Sequence, residues 1–204
     1  LVNMELGICY QLQGKNRQAI QYYNQALKFW ENIRNTARQS YVLNNIGELH
    51  YLSGEYIEAA KLFETAITLA RKSGIVRSEA YLLYNIANLY SNLEAYDSAK
   101  EALQRTREIC KSLDDHFLQL SIELSEAAIA RQEGKLTQAH QYLNSAFQLV
   151  DKSLSDFENG LWDLETGRLL LAEDENQQAE RYLVNAMNLF LSGGQKIEAA
   201  SSSL

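Results

Sequence analysis

The chain has 204 residues, with 19 basic against 26 acidic side chains and a net charge of −7. That balance opposes the basic face that direct nucleic-acid binding needs. Apolar residues make up 46% of the chain but come in short groups such as Leu169-Leu170-Leu171-Ala172, far below the roughly 20 residues of a membrane span. The two cysteines, Cys9 and Cys110, lie far apart without pairing or metal spacing, and no secretory or transit segment is recognisable. The expected setting is reducing and cytoplasmic, with the thiols on buried helix faces.

Apolar residues at helical spacing predict helices along the whole chain. In order they are 2–13 and 17–35, 36–52 and 56–72, 77–92 and 96–112, 116–133 and 136–152, 157–172 and 176–191, with another from 195 onward. Gly14-Lys15-Asn16, Ser53-Gly54, Lys72-Ser73-Gly74, Glu133-Gly134 and Gly193-Gly194 punctuate them, because glycine suits a left-handed helix cap. Proline is absent.

A fixed interval of 40 residues runs through these elements. Small residues recur on the first helix of each pair at Gly7, Gly47, Ala87, Ala127 and Gly167, and on the second at Ala19, Ala59, Ala99, Ala139 and Ala179. A bulky residue follows at Tyr23, Phe63, Leu103, Leu143 and Leu183, then Ala26, Ala66, Thr106, Ala146 and Ala186. The turn position reads Gly14, Gly54, Glu94, Gly134 and Asp174. Small residues let two helices cross closely while the bulky one fills the space beside them. A single hairpin exposes too much apolar surface, so neighbours must stack.

The groups Leu6-Gly7 with Tyr10, Ile46-Gly47 with His50 and Ile86-Ala87 with Tyr90, each followed by Ala-x-x-x-Tyr/Phe/Leu, resemble the tetratricopeptide repeat. The 40-residue unit, longer than the usual 34 and without the closing proline, is similar to repeats of kinesin light chains, bacterial peptide-pheromone receptors and sensor segments of bacterial regulators. The implied fold is an all-α, right-handed α-solenoid of about five hairpins. Their bounds are about 1–35, 36–75, 76–115, 116–155 and 156–194, with the start of a sixth over 195–204. No domain boundary is expected, and the ends read as those of a fragment. Glu123, Glu126, Asp163 and Thr166 stand where apolar residues are expected on first helices. Those helices must rotate, or the carboxylates must find partners.

Enzyme constellations are not evident. His50, His116 and His140 lie in different repeats without zinc spacing, and His50 takes the place of a packed tyrosine. Asp114-Asp115 beside His116 reads as a helix start. The expectation is a non-enzymatic protein with no metal and no cofactor.

Binding is the better expectation. First helices should line the inner face, with positions two and three before the small residue and one, four and five after it facing inward. These include Asn44, Asn45, Glu48, Tyr51 and Leu52, then Tyr84, Asn85, Asn88, Ser91 and Asn92, with Tyr41 and Tyr81 one turn earlier. Asn45 and Asn85 share one register, and an amide both donates and accepts. Asn44-Asn45-Ile46-Gly47 resembles the stretch through which kinesin light chains and pheromone receptors clamp extended peptides. The other reading of these amides is a link between neighbouring helices. Arg131 and Arg168 are candidates for an acidic or C-terminal peptide end. The leading partner is a protein or extended peptide. The alternatives are a bacterial regulator segment that binds a small ligand or its own chain, and self-association through uncapped ends.

Overall fold

The computed structural model describes residues 2–150 and 155–193. Among them every regular element is a helix: α1 (Val2–Leu12), α2 (Asn16–Asn32), α3 (Thr36–Leu52), α4 (Tyr56–Ser73), α5 (Val76–Asn92), α6 (Tyr96–Cys110), α7 (His116–Gln132), α8 (Leu136–Leu149), α9 (Asp156–Ala172) and α10 (Asn176–Ser192). The expected bounds hold to within three residues, except that the expected end at 152 lies outside the described residues. The expected helix from 195 lies outside the described residues.

The largest correction is at the end of α2. Arg34 turns left-handed at φ 54°, and Asn35 becomes the N-cap of α3, accepting from the Arg38 amide at 3.0 Å. An asparagine oxygen that satisfies an orphan amide favours starting a helix over continuing one.

The turn within each hairpin is the same device five times. Gly14, Gly54, Glu94, Gly134 and Asp174 all have positive φ, from 57° to 75°. The next residue donates its N–H to a carbonyl five residues back: Lys15 to Tyr10, Glu55 to His50, Ala95 to Tyr90, Lys135 to Ala130 and Glu175 to Leu170, at 2.8 to 2.9 Å. This closes a Schellman-type cap. The turns between hairpins use Arg34 and Gly74 in the same left-handed way. Asp114, forty residues further on, does not take a positive φ; there Asp115 caps α7 by accepting from the Leu118 amide at 3.1 Å. The chain divides at this point into two compact units, one ending at Leu113 and one starting at Asp114.

In the first unit α1 packs on α2, α3 on α4 and α5 on α6, and the hairpins stack through α2–α3, α4–α5 and α3–α5. A Cβ built on Gly7 would fall 2.5 Å from the ring of Tyr23, and one on Gly47 would fall 2.7 Å from Phe63. Ala87 faces the same crossing with the smaller Leu103, both buried. Met4, Ala19, Tyr23, Ala26, Trp30, Val42, Ile46 and Leu49 form one core across the first two hairpins.

In the second unit α7–α8 and α9–α10 form hairpins that stack through α7–α9 and α8–α9. The register persists, with Ala127, Ala139, Leu143 and Leu169 in one cluster and Gly167 against Leu183. Glu123 and Glu126 are buried and neither is without a partner. Asp163 accepts from Asn185 Nδ2 at 2.5 Å. The carboxylates found partners while α7 and α9 kept their small residues in place.

Candidate functional site

Three first helices, α1, α3 and α5, carry a connected set of polar side chains. Each sits one turn from the small residue of its own crossing, so the close packing of the hairpins fixes where the polar groups point. Asn44 Nδ2 donates to Glu48 Oε1 at 2.6 Å. Asn85 Nδ2 reaches across from α5, donating to Asn44 Oδ1 at 2.8 Å and to Glu48 Oε1 at 3.2 Å. The Gln11 side chain on α1 lies near enough to Glu48 to favour its charged form, and Gln11 Oε1 accepts from Tyr23 Oη at 2.6 Å. Asn45 Nδ2 donates to Tyr23 Oη at 3.3 Å. One turn along, Asn92 Nδ2 donates to Tyr51 Oη.

The identical register of Asn45 and Asn85 therefore does not give identical surroundings. Asn45 is buried at 7% exposure and ties α3 to the Tyr23 hydroxyl on α2. Asn85 is half-buried on the α3–α5 seam. The difference arises because the ring beneath repeat two is a tyrosine with a hydroxyl to satisfy, while its counterparts Phe63 and Leu103 have none.

Burial raises the Glu48 carboxyl above its ordinary 4.5, opposed by hydrogen bonds from Asn44, Asn85 and Gln11. Every neighbour that relieves it is an amide. Among the described residues no lysine, arginine or histidine pairs with it. Burial likewise pushes Tyr23 up to about 12, opposed by the Asn45 hydrogen bond, and raises Tyr51. These groups stay neutral phenols at physiological pH.

Tyr41 is 43% exposed, one turn before Asn44. Tyr84 is half-buried and precedes Asn85. Neither hydroxyl has a hydrogen-bond partner among the described residues. Tyr81 and Asn88 are half-buried and already engaged. Leu52 is exposed at 61%.

Arg131 and Arg168 lie in the second unit around one buried carboxylate. Arg131 Nε donates to Glu165 Oε1 at 2.8 Å, and Arg168 Nη1 lies 3.7 Å from Oε2. Burial raises Glu165, opposed by Arg131 and then Arg168. Arg131 is therefore committed within the fold.

Gln11 and Glu165 are members that sequence reasoning missed. Their signal was positional. Arg131 stands four residues after the small position of its repeat and Glu165 two before that of the next. Gln11 occupies the same place as Arg131, relative to Gly7.

His50 is half-buried and pairs with Glu55 across its own hairpin turn, which corrects the expectation of a core histidine. The turn brings Glu55 beside the last helical turn, where a polar partner outcompetes burial. His140 meets Glu173 at 2.9 Å, and His116 lies 3.7 Å from Asp114. Among the described residues no group of three or more His, Cys, Asp or Glu side chains could hold a metal. No described helix is long and apolar enough to cross a membrane. Cys110 is buried as expected, but Cys9 is exposed.

Stacked helical hairpins with a repeated crossing and turn define an all-α helical-repeat protein. Residues 1–72 and 80–105 match models of the tetratricopeptide repeat, and the chain carries that repeat. It is 32% identical over 108 residues to the mitochondrial tetratricopeptide repeat protein 19 homolog of Drosophila melanogaster, covering 52% of this chain and 29% of that one. It is 29% identical over 164 residues to outer dynein arm-docking complex subunit 4 of Xenopus laevis, covering 80% and 27%. The chain thus spans under a third of the length of these curated relatives. Among solved structures, the nearly identical TPR-like repeats of a putative kinesin light chain from Podosopora anserina superpose with a TM-score of 0.67 at 17% identity, covering 94% of this chain and 95% of that one. That likeness is one of fold. The tetratricopeptide fold in general supports a protein-interaction scaffold.

Proposed function

We propose that the first-helix face of α1, α3 and α5 takes an extended peptide or protein segment, and that the chain works as a non-enzymatic scaffold. The observation that carries this reading is the pair of tyrosines, Tyr41 and Tyr84, each with a hydroxyl free of intramolecular hydrogen bonds, beside polar groups already held in place. Tyrosine offers wide contact area with few torsions to freeze. The amides bonded around Glu48 are ordered before any ligand arrives, which lowers the entropic cost of binding.

The contact would use Tyr41, Tyr84 and the Asn85 carbonyl, with Asn44 and Glu48 beneath them. Asn45 supports Tyr23 from inside, and Arg131 and Arg168 serve Glu165. A random-peptide display library selected on the chain tests the reading. Peptides enriched on the wild-type chain should be lost on Tyr41→Ala with Tyr84→Ala, while helicity and melting stay unchanged. Peptides retained by the double variant would place the docking face elsewhere.

A further inference from the structure

Glu48 is an unusual group on this face. Its carboxylate is half-buried, Asn44 on α3 and Asn85 on α5 both donate to its Oε1, and Gln11 on α1 lies beside it. An ionised carboxylate offers about four acceptor sites and no donor; the two bonds to Oε1 leave acceptor sites open. The amide donors favour the charged form, while burial opposes it. The negative charge is nevertheless uncompensated. In the second unit the buried Glu165 holds Arg131 at 2.8 Å and Arg168 at 3.7 Å; Glu48 has no such neighbour among the described residues.

A half-buried carboxylate whose only relief is amide hydrogen bonding attracts a cation far more strongly than one in open water. Tyr41, exposed two turns earlier on α3, adds an aromatic ring on the same helix, and such rings favour ammonium and guanidinium groups. The formal charge of −7 favours the encounter with a positively charged segment.

We infer that Glu48 seats a basic side chain, lysine or arginine, of the segment that docks on the α1–α3–α5 face. This rests on the docking reading above. It adds what that reading lacks, the charge of the partner and the residue that reads it. The cation completes an ion pair here that the second unit makes internally between Glu165 and Arg131.

The experiment uses the same random-peptide library on the whole chain. Enriched peptides should share a Lys or Arg at one aligned position. A synthetic peptide and its twin, with that residue replaced by norleucine or citrulline, should then differ in Kd by about tenfold on the wild-type chain, the size of one charged hydrogen bond. On Glu48→Gln the two peptides should bind about equally. A second measurement needs no variant: the Glu48 carboxyl carbon resonance in the wild-type chain should shift with the basic peptide and stay still with its twin. Enriched peptides without a shared basic residue, or twins of equal affinity on the wild type, overturn the cation seat and leave the docking face standing. A library that enriches nothing overturns both.

Discussion

The two units answer one problem in different ways. Both draw a carboxylate into the first-helix face, Glu48 half-buried in the first and Glu165 buried in the second. Around Glu165 the fold supplies two arginines, so the charge is settled within the chain. Around Glu48 it supplies amides alone. An ion pair completed internally is a structural element, since breaking it leaves an unpaired buried charge. A carboxylate solvated by amides and left without a cation has room for one from outside, as the proposed seat requires. The same repeat geometry therefore gives a closed site in one unit and an open one in the other.

The largest expected effect comes from opening the closed site. Arg131→Met leaves Glu165, 6% exposed, without its bonded cation, and should cost the second unit about 3 kcal/mol. Replacing Arg131 and Glu165 together by leucine should recover most of that loss, because buried pairs exchange for apolar ones at little net cost. Urea unfolding followed at Trp162, in a Trp30→Phe background that silences the first unit, reads the effect; a single variant as stable as wild type would erase the contrast between the units. Next comes the helix crossing. Gly47→Ala drives a Cβ into the buried Phe63 ring, and overpacking of about 1–3 kcal/mol outweighs the roughly 1 kcal/mol that alanine gains in a helix. Adding Phe63→Leu copies the Ala87–Leu103 pair and should restore stability. Gly167→Ala, facing the branched and flexible Leu183, should cost less than Gly47→Ala. Thermal melts of the three variants rank these effects.

Much of this was legible from the sequence. A helix pair leaves only one solution for its crossing, so Gly7 with Tyr23 and Gly47 with Phe63 announced their contact sixteen residues apart. The turn position was equally plain: Glu94 and Asp174 stand in line with glycines and share their left-handed backbone. What stayed hidden was the partner of each polar group. The 40-residue register placed Asn45 and Asn85 alike, but hydrogen bonding depends on the atom opposite. One hydroxyl on Tyr23 drew Asn45 inward, while Asn85 found Asn44 and Glu48. Arg131 read as a candidate for an acidic peptide end because Glu165, its partner, lies 34 residues away in the next repeat. Spacing fixes where a side chain starts; its partner is set by every helix packed around it.

The shared turn gives a smaller effect that should treat both units alike. Glu94 and Asp174 carry positive φ without being glycine, at a cost on the order of 1 kcal/mol. Glu94→Gly in the first unit and Asp174→Gly in the second should each raise stability by about that amount. The gain should be greater at Glu94, since aspartate tolerates this backbone better than glutamate. Guanidinium unfolding midpoints decide it, and a loss at either site would mean that its side chain contributes more than its backbone costs.

The smallest effect is a slope, and it bears directly on the open site. Burial raises the folded-state pKa of Glu48 above its ordinary 4.5. Between those two values the folded chain holds a proton that the unfolded chain has released, so stability falls as pH rises through the window. Glu48→Gln removes this term. Wild type minus Glu48→Gln stability should therefore decline from about pH 4 upward and level off once Glu48 is ionised in both states. The free chain carries that cost at neutral pH, and a bound cation would remove it. The decline should accordingly flatten when a lysine-bearing peptide saturates the first unit, and persist with a neutral one. A flat difference in the free chain would mean that the amides alone satisfy the charge, leaving the two units less different than their geometry implies.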